Sequence, residues 1–345
     1  MAFINFQPKD YFNTKLWTGT GAENAITGIG FEPSLVWIKN RAAAEHNKLF
    51  DAVRGANKVI YSNLDAIQYT VTEELKSFDS DGFTVGTESA LNANGQNIVG
   101  WNWKANGQGS SNTDGSINTT YTSADTTSGF SIVKYTGTGS NATVGHGLGA
   151  VPKMIIIKCL DQTHWWFTYH ASLGNTKMLT LNTTNGESGA SAAYWNNTTP
   201  TSSVFSIGTD TGVNQSGQDY IAYCFAKKQG FSSMGSYTGN QNANGPMIYT
   251  GFKPAWLLIK NISDGDDGWI LIDNKRSAYN PTYNYLTTQS NAAEGGTGFP
   301  IDLVSNGFKI RGADISYNQN GYTYIYMAFA EEPLVASNGT PATAK

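Results

Sequence analysis

Four histidines, His46, His146, His164 and His170, are the side chains best suited to metal or proton chemistry in this 345-residue chain. None forms the i,i+4 pair or the Cys/His spacing that a zinc site requires, so no metal and no cofactor is expected. Thr136-Gly-Thr-Gly and Gly145-His-Gly-Leu-Gly look like phosphate-cradling loops. No Gly-Lys-Ser/Thr follows them, and the next element reads as a strand where a helix N-terminus would be needed, so they are turns. Asp79-Ser-Asp81-Gly and Asp264-Gly-Asp266-Asp267 could offer oxygen ligands to calcium, yet neither has the spacing of a complete loop, and solvated Asx turns are the simpler reading. Glycoside hydrolysis needs two carboxylates across a groove. No acidic position recurs along the chain in the way described below for other residues, and no catalytic residue is expected.

Aromatic residues offer a different chemistry. Trp165, Trp166, Tyr169 and His170 lie close together in sequence and could stack on a sugar ring, whose apolar faces and polar edges suit flat side chains. One member belongs to a core on this reading, because Trp269 stands at the matching place later in the chain and Phe50 lies near it earlier. The extra ring, Trp165 or Trp166, is then the exposed one.

The elements that must position these residues come in three copies. Each copy opens on a Phe followed by an aromatic-Thr-Gly turn: Phe12 with Trp17-Thr-Gly, Phe130 with Tyr135-Thr-Gly, Phe231 with Tyr237-Thr-Gly. Each continues to a Pro and an apolar run closed by Lys six positions on: Pro33 to Lys39, Pro152 to Lys158, Pro254 to Lys260. A Phe then opens another strand (Phe83, Phe205, Phe308), and an Asn-x-x-Gly segment (Asn92, Asn214, Asn318) leads into a closing aromatic strand. Landmarks that keep their order at near-constant spacing define an internal repeat. The division is an arm at 1–10, repeat 1 at 11–104, a flexible or surface-hugging, Gly/Ser/Thr-rich linker at 105–128, repeat 2 at 129–227, repeat 3 at 228–334 and a tail at 335–345.

The run after each Pro is apolar at consecutive positions, as expected of a strand covered on both faces. The closing strand from Tyr322 alternates, which predicts one core face and one partly wetted aromatic face. Asn-x-x-Gly predicts a hairpin turn with positive φ. The fold class is therefore all-β, three tandem β-sandwich or jelly-roll-like repeats of roughly a hundred residues with little helix. Whether they sit in a row or a pseudo-threefold cluster is open.

Composition supports this and narrows function. Charged residues are 14% and aromatics 12%, with a net charge of −4. Long surface helices lack their usual residues. Clustered basic residues for nucleic acid are lacking, and an anionic membrane surface is disfavoured. No apolar stretch is long enough to span a bilayer, and the start lacks a signal-peptide pattern. Cys159 and Cys224 read as buried free thiols.

The motifs Gly28-Ile-Gly-Phe-Glu-Pro33, Phe78-Asp-Ser-Asp-Gly-Phe83, Tyr135-Thr-Gly-Thr-Gly, Val144-Gly-His-Gly-Leu-Gly149, Tyr169-His-Ala-Ser-Leu-Gly174, Tyr249-Thr-Gly-Phe-Lys-Pro254 and Tyr326-Met-Ala-Phe-Ala330 are together similar to an uncharacterised triple-repeat domain family of tailed-bacteriophage virion proteins, notably marine ones. The likeness runs from about Phe12 to Pro333. It implies a virion protein made in the host cytoplasm, with other virion proteins as partners, and it carries no catalytic residues. The expected function is a non-enzymatic tail-fibre or appendage protein, a homo-oligomer whose exposed loops contact host-surface glycan. The alternative is a capsid decoration protein that clips to the shell through Phe3, Ile4 and Phe6, by burying them or by strand addition. A polysaccharide depolymerase is the third reading.

Overall fold

The computed structural model describes residues 6–333, and the chain folds as three all-β repeats with one topology. In each repeat the closing strand lies between the opening strand and the proline strand, antiparallel to both. The strands are Phe12–Thr18, Asn97–Trp103 and Leu35–Asn40 in repeat 1; Phe130–Thr136, Asp219–Ala226 and Pro152–Cys159 in repeat 2; and Ser232–Thr238, Thr323–Pro333 and Phe252–Asn261 in repeat 3. A flanking strand lies beside the proline strand in each large sheet, Lys48–Asp51, Phe167–His170 and Trp269–Asp273, and shorter strands extend the sheets further.

A smaller sheet covers one face of each large one. It is built around Asn24–Thr27 with Gly82–Val85, Ala142–Gly145 with Val204–Ile207, and Met247–Tyr249 with Gly307–Ile310. Side-chain alternation then sorts each large sheet into two sets. Val36 and Ile38 enter a core private to repeat 1, as do Ile155 and Ile157 in repeat 2 and Leu257 and Ile259 in repeat 3. Their alternating neighbours Leu35, Trp37, Met154, Ile156, Trp256 and Leu258 enter a single core shared by all three repeats. The expectation of strands covered on both faces therefore holds. The closing strand corrects the other expectation: Tyr324, Tyr326 and Ala328 face the small sheet inside the private core, so neither face is wetted.

The repeats form a closed ring, which settles the choice that the sequence leaves open. Three equivalent backbone bonds join neighbours: Gln68 N–H to Leu160 O at 2.9 Å, Glu187 N–H to Ile262 O at 3.2 Å, and Glu294 N–H to Arg41 O at 2.9 Å. The last ties repeat 3 back to repeat 1. At the centre Trp103, Phe225 and Phe329, one from each closing strand, form a triangle with ring centroids 6.4, 5.8 and 5.9 Å apart. Phe12, Phe130 and Phe231, the residues that open the copies, pack onto this triangle.

Two further expectations are corrected. The segment 105–128 is ordered: Tyr121–Asp125 adds an edge strand to repeat 2, and Ile117 pairs with Val144 and packs in the private core. Its Ser and Thr hydroxyls find local partners, as in Ser111 to Thr119 O, so a polar composition reads as flexible although it is pinned. The Asn-x-x-Gly segment is the end of a one-turn helix (Ser89–Asn92, Thr211–Asn214, Ile315–Asn318), and only its Gly has positive φ. The Asn is fully buried and staples that helix to the Thr-Gly turn: Asn214 Oδ1 accepts the Thr138 N–H at 2.8 Å, while its amide donates to Ser140 O and Gly208 O. Asn92 and Asn318 repeat the pattern. Phe6, half-buried, packs within its own chain against Tyr11 and Phe231 at 5.2 and 5.7 Å. Phe3 and Ile4 lie outside the described residues.

Cys159 and Cys224 are buried free thiols, as expected. Among the described residues no helix is long and apolar enough to cross a membrane.

Because the central triangle belongs to all three repeats, Phe329→Ala is expected to remove about 3–5 kcal/mol of stability and to leave a single cooperative transition. Chemical denaturation followed by both fluorescence and far-UV circular dichroism tests this, with coincident curves expected.

Candidate functional site

The aromatic cluster picked out from sequence divides between interior and surface. Trp166 is fully buried, and its indole N–H donates across the boundary between repeats 1 and 2 to Tyr61 O and Leu64 O, both at 3.0 Å. Trp269 makes the equivalent bond to Thr180 O at 2.9 Å between repeats 2 and 3. In repeat 1 the equivalent position is Asn47, whose amide donates to Thr287 O at 3.2 Å. The register fixes this equivalence, since the next residues, Lys48, Phe167 and Ile270, pair with Ile38, Ile157 and Ile259. Phe50, three residues on from Asn47, lies in a private core. Tyr169 is also internal, edge-on to Trp195 at 5.7 Å, and burial raises its hydroxyl pKa. Only Trp165 reaches solvent, at 49% exposure, where repeats 1 and 3 carry His46 and Gly268.

His170 belongs to a set that sequence reasoning missed. It pairs with Met154 as Asp51 pairs with Leu35 and Asp273 with Trp256, so the three stand at one position, each at a seam with the next repeat. Asp51 accepts the Tyr223 hydroxyl at 2.7 Å, and Asp273 accepts the Trp101 indole N–H at 3.0 Å. Each Asp also binds an Arg three residues on, Arg54 and Arg276. Glu294 extends the second pair by bridging Arg276 and Arg41. The His170 ring instead accepts the Ser172 N–H at Nδ1, which leaves the proton on Nε2 to donate to Tyr326 O at 3.2 Å. Burial holds its pKa down at about 4, with the Tyr326 carbonyl opposing.

The lysine that closes each apolar run is equally internal. Lys39, Lys158 and Lys260 are fully buried, and burial pulls each ammonium down to about 8. Lys158 donates to Asp65 O at 3.2 Å across one seam and Lys260 to Thr184 O at 2.8 Å across the next, while Lys39 donates to Asn40 O and Ala43 O. An ammonium has three donors to satisfy, and ends of strands supply carbonyls. All three lysines are inaccessible to a substrate, and Lys158 and Lys260 act in holding the ring. The acidic turns are likewise occupied by protein donors: Asp81 accepts the N–H groups of Gly28 and Gly30, which lower its pKa, and Asp267 accepts from Asn261 and Ser316.

What remains for a partner is a set of exposed aromatics, chiefly on repeat 3. Met247 and Tyr249 point outward from the small sheet at 45% and 65% exposure, while Ile248 between them enters the private core. Lys309 pairs with Met247 and Asp302 with Lys309, and Arg311 binds Asp302 at 3.2 Å, so a charged rim borders the aromatic surface. Repeats 1 and 2 carry Ala25 with Thr27 and Thr143 with Gly145 at the same places. Tyr279 and Tyr283 are exposed as well, at 81% and 45%. A flat apolar ring beside polar groups is the arrangement that stacks on a sugar.

The chain belongs to a family described as a domain of unknown function (DUF7483), whose pattern matches residues 7–333. No curated protein and no solved structure matches it.

Two neighbouring tryptophans should separate cleanly on substitution. Trp166→Ala is expected to lower unfolding free energy by about 3–5 kcal/mol, and Trp165→Ala to change it by less than about 0.5 kcal/mol in denaturant titration. The buried lysines give a pH signature. Their folded pKa lies below the ordinary 10.5, so the unfolded chain holds more protons between about 8 and 10.5 and stability rises with pH from 8 to 10. Lys260→Met is expected to reduce that rise, measured as the denaturation midpoint against pH.

Proposed function

We propose that the chain is a non-enzymatic structural component of a bacteriophage virion, a tail-fibre or appendage protein whose exposed aromatics contact host-surface glycan. The observation that carries the reading is the division of labour in the ring. Lys158, Lys260, the Asp51 and Asp273 systems and His170 are spent inside it, holding repeats together, whereas isolated aromatic rings with a polar surround are left at the surface. The phage assignment itself rests on the likeness of the repeated motifs to virion proteins.

Such a scaffold suits adhesion because loops and outer faces can vary without touching the shared core. Tyr249 shows this: it replaces Thr27 at an outward position while Ile248 and Ile26 stay buried alongside, whereas the corresponding Gly145 of repeat 2 is covered by Asn112. Binding at Trp165 or Tyr249 would need no chemistry beyond stacking and hydrogen bonds from the rim.

A cryo-EM map of the particle with this chain located in it, joined to a binding assay on the host's purified surface polysaccharide, tests the proposal. Density at the tail periphery is expected, with Trp165→Ala or Tyr249→Ala weakening glycan binding about tenfold. Density spread over the capsid lattice would make it a decoration protein, and turnover of the polysaccharide by the purified chain would make it an enzyme.

A further inference from the structure

The three seams are built on one plan with one exception. At two of them a carboxylate takes a side-chain hydrogen bond from the neighbouring closing strand and an Arg from its own loop: Asp51 with Tyr223 and Arg54, Asp273 with Trp101 and Arg276. At the seam between repeats 2 and 3 all three members differ together. His170 replaces the Asp, Leu173 stands where the Arg would be, and Met327 stands where the donor would be. Leu173 packs on the shared core instead of carrying charge. At this position the seam therefore carries no Asp–Arg pair, and it contains the titratable ring.

From this geometry we infer that protonation of His170 in mild acid opens the ring at the seam between repeats 2 and 3 while the other two seams stay closed. The neutral ring fits because Nδ1 accepts the Ser172 N–H. Adding a proton there replaces that bond with two donors facing each other in a buried site. The surroundings do not offset the charge. On its own strand the neighbour Tyr169 points into the private core; on the proline strand Lys153 contributes its carbonyl to the Ala171 N–H; on the closing strand of repeat 3 the Tyr326 hydroxyl is turned to Ser233. Burial and the Tyr326 carbonyl are what act on the ring, and burial dominates.

The sign follows. A histidine whose folded pKa is held below its ordinary 6.5 binds its proton more readily once the seam is open, so closure is complete above that value and weakens as pH falls toward about 4. Between pH 7 and pH 5 the opening equilibrium should rise on the order of twentyfold. His146 is also buried, with its pKa lowered by burial, but it bonds to Leu148 N–H and Thr201 O within repeat 2 and so serves as a control.

The fold provides its own reporters, because the amides of Gln68, Glu187 and Glu294 make equivalent bonds at the three seams. Hydrogen-exchange mass spectrometry on the full chain at pH 7 and pH 5, corrected for intrinsic exchange, should show faster opening for peptides containing Glu187 and not for those containing Gln68 or Glu294. His170→Gln keeps a donor for Tyr326 O without titrating and should abolish the increment; His146→Gln should leave it. Equal acceleration at all three seams, no acceleration at Glu187, or an increment that survives His170→Gln would each overturn the inference. Should His170→Gln fail to fold, the comparison of the three amides in the native chain and in His146→Gln still decides it.

Discussion

Each large sheet of this protein is apolar on both faces, and everything else follows from having to cover it twice. A small sheet from the same repeat covers one face. The other face has no cover within its own repeat, so an isolated repeat would leave Trp37, Trp101 and Trp103, or their equivalents, in water. Burying one large aromatic side chain contributes roughly 1.5–3 kcal/mol, and several per repeat make association the favourable state. A row of three would still leave two such faces uncovered at its ends. The ring leaves none, which is why Glu294 of repeat 3 meets Arg41 of repeat 1.

Closure then asks polar groups to work in unusual places. The ends of the proline strands come together at the seams, where backbone carbonyls would lack partners. Lys158 and Lys260 supply donors across two of the seams, and a tryptophan N–H or the Asn47 amide supplies one at each. Buried charges are costly unless they are well bonded, and here the bonds are what join one repeat to the next. The Asp51 and Asp273 systems add directional contacts from Tyr223 and Trp101, which tie the closing strand of one repeat to the flanking strand of another. The pseudo-symmetry is close in backbone and loose in chemistry, so each seam can acquire its own character without disturbing the shared core.

Several features were legible in the sequence because they are local. Consecutive apolar residues after each Pro, the Lys six positions on, the opening Phe and the Thr-Gly turn are each set by strand alternation and turn geometry within a few residues. Others misled for an equally physical reason. Tyr169 and His170 read as members of a surface cluster with Trp165, yet strand pairing turns both inside, whereas the expectation of one exposed and one sealed tryptophan holds. The polar segment 105–128 reads as mobile from composition, but its hydroxyls bond locally and Ile117 anchors it. The buried Asn of each Asn-x-x-Gly motif reads as a turn residue because the helix it ends is a single turn long.

The sequence by itself determined the all-β class, the three copies, their order and the strand faces, since these depend on residue types repeating at a period of two along each strand. Tertiary structure alone decided that the copies close into a ring, that Trp166, Tyr169 and His170 lie inside it, and that Asp51, His170 and Asp273 share one structural position. Those facts depend on which strands lie side by side across more than a hundred residues of chain, as with His170 and Tyr326. Periodicity records which way a side chain points; only the packed ring fixes what it meets there.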